Sequence, residues 1–166
     1  KLATFTNGKT VQYSHLISTM PLNHLLKGMH GVTSSTAAHH ADKLRCNSVL
    51  NINLGIAQPS VGDVHWLYVP DPSLPFYRLG FWHNICPALA PHNHSSLYAE
   101  VSFMRGTRSE ATLPQRREQS IDGICRMLNI SRSDIMLEHD LLLPHAYVMY
   151  DQWRKKHLGD RKSTRL

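Results

Sequence analysis

Four short strand-like runs between Asn47 and Met104 constrain this fold more than any other feature of the sequence. They read "NSVLNINLGIA" (47–57), "VHWLYVP" (64–70), "FYRLGFW" (76–82) and "SSLYAEVSFM" (95–104). Each is rich in β-branched and aromatic residues, and Pro, Gly, Asn or Asp separates one from the next, as expected for strands broken by turns. A mostly antiparallel sheet is expected from them. The run "SLYAEVSF" alternates, which implies one covered face and one more polar face. "LPQRREQSIDGICRMLNI" (113–130) then places Ile121, Ile124, Cys125 and Leu128 on one stripe of an amphipathic helix. "SDIMLEHDLLL" is a further strand candidate and "YDQWRKKHL" begins another helix. The order predicts an α+β fold, a mostly antiparallel sheet with flanking helices.

The N-terminal residues read differently. "LATF" and "TVQY" flank Asn7-Gly8, a pair suited to the positive φ values of a tight hairpin turn. "HLISTMPL" (15–22) reads as a short apolar strand running into Ser18 and Thr19 and broken at Pro21. Such an end is common where an α/β sheet faces a ligand. "LNHLLKGM" reads as a short helix stopped by Gly28 and Gly31. The stretch around "AAHHADKLR" (37–45) is helix-compatible. A missing start methionine points to a cut through a larger protein.

Composition matters mainly for what it excludes. With 166 residues and 42% hydrophobic content, the chain has material for a core, and no apolar run is long enough to span a bilayer. The net charge of +6 would suggest nucleic acid, but its distribution argues otherwise. Up to Asp151 there are 12 Lys and Arg against 11 Asp and Glu, and beyond it 6 against 1. The excess belongs to the tail and does not form a phosphate-tracking face. The closing "DRKSTRL" resembles the translation of a common sequencing-adapter read, so residues 159–166 are expected to be non-native. Three widely spaced cysteines, Cys46, Cys86 and Cys125, form no CxxC pair and read as small buried hydrophobes in a reducing, cytoplasmic setting.

Taken together, "HLISTMPLNHLL", "NINLGI", "HWLYVPDPSLPFYRLGF", "LAPHNHSSLYAEVSF" and "YVMYD" resemble a group of FAD-dependent oxidoreductases. The group comprises amine oxidases, protoporphyrinogen oxidase and phytoene desaturase, with UDP-galactopyranose mutase as a relative. The resemblance implies a Rossmann-like FAD domain and a substrate domain whose sheet roofs the flavin. Residues 1–30 would be the end of the FAD domain and residues 31–158 an incomplete substrate domain. It further implies cofactor contacts at Ser18, Thr19 and Pro21, with FAD held mainly by a part of the protein outside this chain. No GxGxxG follows a strand here, and the segment that returns to the flavin ring is also absent, so the chain alone is expected to be inactive. The expected function is that of an oxidoreductase acting on a small molecule. A flavin-dependent UDP-sugar mutase is the alternative, and a stand-alone α+β binding module the second.

The candidate substrate residues lie in "HWLYVPDPSLPFYRLGFW" (65–82). Arg78 either aims its guanidinium into a cavity, to meet a carboxylate or phosphate, or else pairs with Asp71, Asp63 or Glu100 or is simply exposed on the sheet's other face. Trp66, Tyr68, Tyr77 and Trp82 either line that cavity or belong to the core, and the core is the commoner fate of such residues. The two tyrosine hydroxyls need partners, which favours a cavity edge for Tyr68 and Tyr77. Twelve histidines raise the question of a metal, but "PHNHSS" offers at most two ligands, His92 and His94, and no metal site is expected. No nucleophile triad is recognisable.

Overall fold

The computed structural model describes residues 1–29 and 43–156. Contacts divide the chain into two units, Lys1–Leu44 with Gln152–Leu166, and Arg45–Asp151.

In the first unit, strands β1 (Leu2–Thr4) and β2 (Thr10–Gln12) form an antiparallel hairpin. Gly8 takes φ +80°, and the Asn7 side chain accepts a hydrogen bond from the Lys9 amide at 3.0 Å. Helix α1 (Leu22–Gly28) follows. The strand expected over residues 15–22 does not form: no ladder pairs it, and Ile17 is 93% exposed. An apolar run becomes a strand only where a partner offers its backbone groups, and no strand among the described residues pairs with it. A short helix, Gln152–Lys156, closes the described residues. The expected helical stretch around residues 37–45 falls largely outside the described residues, as does the tail 159–166.

The second unit is built on five strands: β3 (Cys46–Ile56), β4 (Trp66–Tyr68), β5 (Arg78–Phe81), β6 (Ser95–Phe103) and β7 (Ile135–Val148). Their order is β4-β5-β6-β3-β7, and every neighbouring pair is antiparallel. The returning strand expected after the helix is therefore the edge strand β7. Pro144 lies on this edge, at the register shift between Asn47 and Val49, where the Ser48 hydroxyl donates to the Pro144 carbonyl at 2.9 Å. An edge or a bulge is where a strand tolerates a residue without an N–H. The connections carry helices α2 (Trp82–Ile85), α3 (Arg108–Ala111) and α4 (Leu113–Leu128) and 3-10 turns at Pro87–Leu89 and Arg132–Asp134.

The two faces differ sharply. Leu50, Ile52 and Leu54 on β3, Leu79 and Phe81 on β5, and Leu97, Ala99 and Val101 on β6 point to one side and are buried. Against them α4 sets Ile121 and Ile124, both fully buried, with Cys125 and Leu128 packed at the margin. Each isoleucine so buried contributes on the order of 2 kcal/mol. The helix begins with Pro114 in its first turn and ends where Asn129 adopts φ +52°, letting the Ile130 amide reach the Cys125 carbonyl at 3.0 Å. That bond is the six-to-one closure of a left-handed C-terminal cap.

Toward β7 the covered side changes from apolar contact to charge. Arg117 of α4 donates from Nε to Asp140 at 2.6 Å and from Nη2 to Glu138 at 2.7 Å, both on β7. Glu118 accepts from Arg117 and from Arg132, and Arg132 also holds Asp122 at 3.0 Å.

Candidate functional site

The other face of the sheet is read most directly along its cross-strand register. Tyr68 lies opposite Arg78, Arg78 opposite Glu100, Glu100 opposite Asn51, and Asn51 opposite Leu141. One row thus crosses all five strands. The adjacent row runs Trp66, Gly80, Tyr98, Asn53 and His139. Because side chains alternate along a strand, both rows project away from the helix-covered core.

Arg78 is the centre of the first row. Its Nη2 donates to Glu100 Oε1, and to the Tyr147 hydroxyl at 2.9 Å. The Tyr77 hydroxyl donates to the second carboxylate oxygen, Glu100 Oε2, and the Tyr147 hydroxyl lies 3.5 Å from that atom. Glu100 is 5% exposed, so its charge depends on these partners and not on water. Burial opposes the charge on Arg78, but the hydrogen bond and charge of Glu100 outweigh it and hold the guanidinium above its ordinary value. Burial first, and the bond to Glu100 second, push the Tyr77 phenol well above its ordinary value. Arg78 Nε is enclosed without a hydrogen-bond partner among the described residues. A cavity of about 390 Å³ opens over this group, lined by Asn47, Tyr68, Tyr77, Arg78, Ser102 and Tyr147.

The second row is aromatic and amide in character. The Tyr98 ring lies across Gly80, where a Cβ would stand 2.1 Å from Tyr98 Cε1, so only glycine leaves room for it. Trp82 packs on Tyr98 with ring centroids 4.5 Å apart and an interplanar angle of 35°. The Trp82 indole N–H donates to Asn53 Oδ1 at 3.2 Å, and Asn53 Nδ2 donates to Asn51 Oδ1 at 2.7 Å. A flat aromatic surface therefore adjoins the charged group.

The structure draws Arg78, Tyr77 and Tyr68 around one cavity and sets Trp66 in the neighbouring row. Of the two readings of Arg78, the ion pair with Glu100 is present, and it holds the guanidinium at the cavity wall. The aromatics divide by residue type. Phe76 and Phe81 are in the core, whereas Trp66 is 54% and Tyr68 66% exposed, and Tyr77 and Trp82 are half-buried. Tyr68 and Tyr77, whose hydroxyls favour a cavity edge, line the cavity, and Trp66 lies outside the core. Ser18 and Thr19 are exposed and Pro21 half-buried in the segment before α1. Tyr147, Asn47, Ser102, Tyr98 and Asn53 escaped the sequence reading as site residues. The available signal was the alternation of "SLYAEVSF", which sets Tyr98, Glu100 and Ser102 on the face opposite the core.

No family model matches this chain. Among solved structures it is similar to reduced UDP-galactopyranose mutase, with 26% identity and a TM-score of 0.75 over 96% of this chain and 35% of that one. It is also similar to an oxidoreductase from Methanosarcina mazei, with 13% identity and a TM-score of 0.65 over 88% of this chain and 36% of that one. A protoporphyrinogen oxidase-like protein from Exiguobacterium sp. 255-15 aligns with 12% identity and a TM-score of 0.61 over 86% of this chain and 31% of that one. The chain spans about a third of the length of each of these proteins. It therefore has the fold of one part of UDP-galactopyranose mutase and of the oxidoreductases built like it.

Proposed function

We propose that Arg45–Asp151 is a substrate-binding wall of a flavin-dependent enzyme, and that its ligand is a nucleotide sugar whose diphosphate meets Arg78. Residues 1–30 are then the end of an FAD-binding part and residues 31–158 belong to the substrate domain. One observation carries the reading: Arg78 lines the cavity and is held there by a buried carboxylate and a tyrosine hydroxyl. A fixed guanidinium is the group that recognises phosphate with defined geometry. The likeness to UDP-galactopyranose mutase over 96% of the chain favours the sugar-nucleotide ligand over the amine, porphyrinogen or carotenoid substrates of an oxidase. The polar character of the Arg78 row favours it as well.

The described residues do not themselves fit a dinucleotide cofactor. They contain no glycine-rich turn between a strand and a helix, and Ser18 and Thr19 lie in a segment that forms no strand. No chemical step is therefore assigned to the flavin through this chain. Its residues bind and orient: Arg78 fixes the anionic group, Tyr68 and Tyr147 flank it, and the Trp82–Tyr98 pair offers a flat surface.

The test uses the whole protein that carries this chain. Arg78→Gln is expected to weaken UDP binding by roughly ten- to a hundredfold in titration calorimetry, the value of a charge-assisted contact. Turnover of a UDP-sugar with prereduced flavin supports the mutase reading. Flavin reduction by an amine, porphyrinogen or carotenoid, with no binding of UDP, would replace it with the oxidoreductase reading. A protein that binds UDP without any flavin would be the stand-alone module.

A further inference from the structure

Arg116 stands apart from the other half-buried guanidiniums of the second unit. Arg78 faces Glu100, and Arg117 faces Glu138 and Asp140. Arg116 is half-buried on α4 and has only neutral acceptors: Ser102 O at 3.0 Å, Pro75 O at 3.3 Å and Ser109 O at 3.4 Å. Among the described residues no carboxylate lies within ion-pairing distance of it. Carbonyl dipoles orient a guanidinium but do not neutralise it, and burial pushes its pKa down accordingly.

Arg116 also lines a cavity of about 450 Å³ together with Asn47, Ser102, Ser109 and Tyr147, where Asn47 Nδ2 donates to the Ser102 hydroxyl at 2.7 Å. Arg105 and Arg108 are exposed on the adjoining segment, and the nearby acid, Glu110, accepts from the Gly106 amide at 2.6 Å. The cavity shares Asn47, Ser102 and Tyr147 with the one at Arg78, so the two adjoin at one end of the sheet.

We propose that the cavity at Arg116 is a separate oxyanion site, taking a phosphate or carboxylate group next to the substrate wall. The site does not depend on the nature of the ligand at Arg78. A bound oxyanion supplies the counter-charge that the three carbonyls cannot. Its contacts with Asn47, Ser102 and Tyr147 bring it against the residues that also border the Arg78 cavity.

The experiment is a titration of the whole protein with inorganic phosphate and, separately, with acetate, at constant ionic strength set by chloride. Saturable stabilisation against heat and direct calorimetry are the readouts. Arg78→Gln is expected to keep a saturable phosphate site, the one at Arg116, and adding Arg116→Gln to that variant weakens the remaining binding at least about tenfold. Acetate binding equal to that of phosphate would assign a carboxylate ligand, and phosphate binding alone would assign a phosphate ligand. Binding that is lost in Arg78→Gln and kept in Arg116→Gln overturns the proposal, as does the absence of any saturable response to either anion. Arg116→Lys covers the case in which Arg116→Gln fails to fold. It keeps the charge and loses the guanidinium fork and its three-carbonyl geometry, so a folded lysine variant that binds more weakly than the wild type supports the site, and one that binds both anions as tightly as the wild type overturns it.

Discussion

At the scale of single residues, the site is a buried carboxylate that organises three donors. Glu100 accepts from Tyr77 and Arg78, and Tyr147 closes the group. The same arrangement sets a pH dependence. The folded protein holds the Tyr77 phenol far above its ordinary value, through burial and through Glu100, and burial raises Tyr98 as well. An unfolded tyrosine ionises near pH 10. Below that pH both states keep the phenolic protons and stability is unaffected. Above it the unfolded chain loses protons that the folded chain retains, so stability falls as pH rises. Urea midpoints measured from about pH 8 to 11 should be level at first and then drop. Tyr77→Phe should flatten the drop by about one proton's slope. An alkaline slope unchanged by that substitution would show that Tyr77 is not enclosed as described. Asn93 and Asn129 adopt φ +61° and +52°, conformations that asparagine tolerates better than most residues.

At the scale of elements, β7 is the informative strand. It is 14 residues long and pairs on one side only. Leu137 and Leu141 project from it 56% and 48% exposed. Its attachment to α4 runs through Arg117 and Arg132 instead of a continuous apolar seam. Partly exposed pairs of this kind contribute modestly, about 1 kcal/mol or less each. Arg117→Ala should therefore leave the fold in place while hydrogen exchange quickens along residues 136–142 and hardly changes in β3 and β6. Added salt should weaken the same attachment in the wild type. Acid acts in the same direction: Arg132 and then Arg117 hold the Glu118 carboxyl below its ordinary value, so the stability it contributes is present above that value and lost as pH falls. Uniform exchange rates in the variant and the wild type would mean that β3 pairing alone secures the strand.

At the scale of the whole molecule, a third-length match to larger proteins frames the function. If the flavin is held elsewhere in the protein, a polypeptide of residues 1–156 should purify without flavin absorbance and fail to take up added FAD. Stoichiometric uptake would require a cofactor site that the described residues do not present. How much could be read in advance follows from the physics of each element. The hairpin, α1, the strands and α4 were legible because turn chemistry, alternation and a 3.6-residue stripe are local properties. The expected strand at 15–22 failed because pairing is not local: an apolar run with no neighbour has nothing to hydrogen-bond. By itself the sequence determined that an antiparallel sheet would present one apolar and one polar face, with the Arg78 run as a candidate for ligand contact. Tertiary structure alone decided the register that sets Tyr68, Arg78, Glu100 and Asn51 in one row and brings Tyr147 to it from 69 residues away. A one-residue slip would turn those side chains into the core. Cross-strand register depends on how the whole hydrophobic face packs, and no single stretch of sequence contains it.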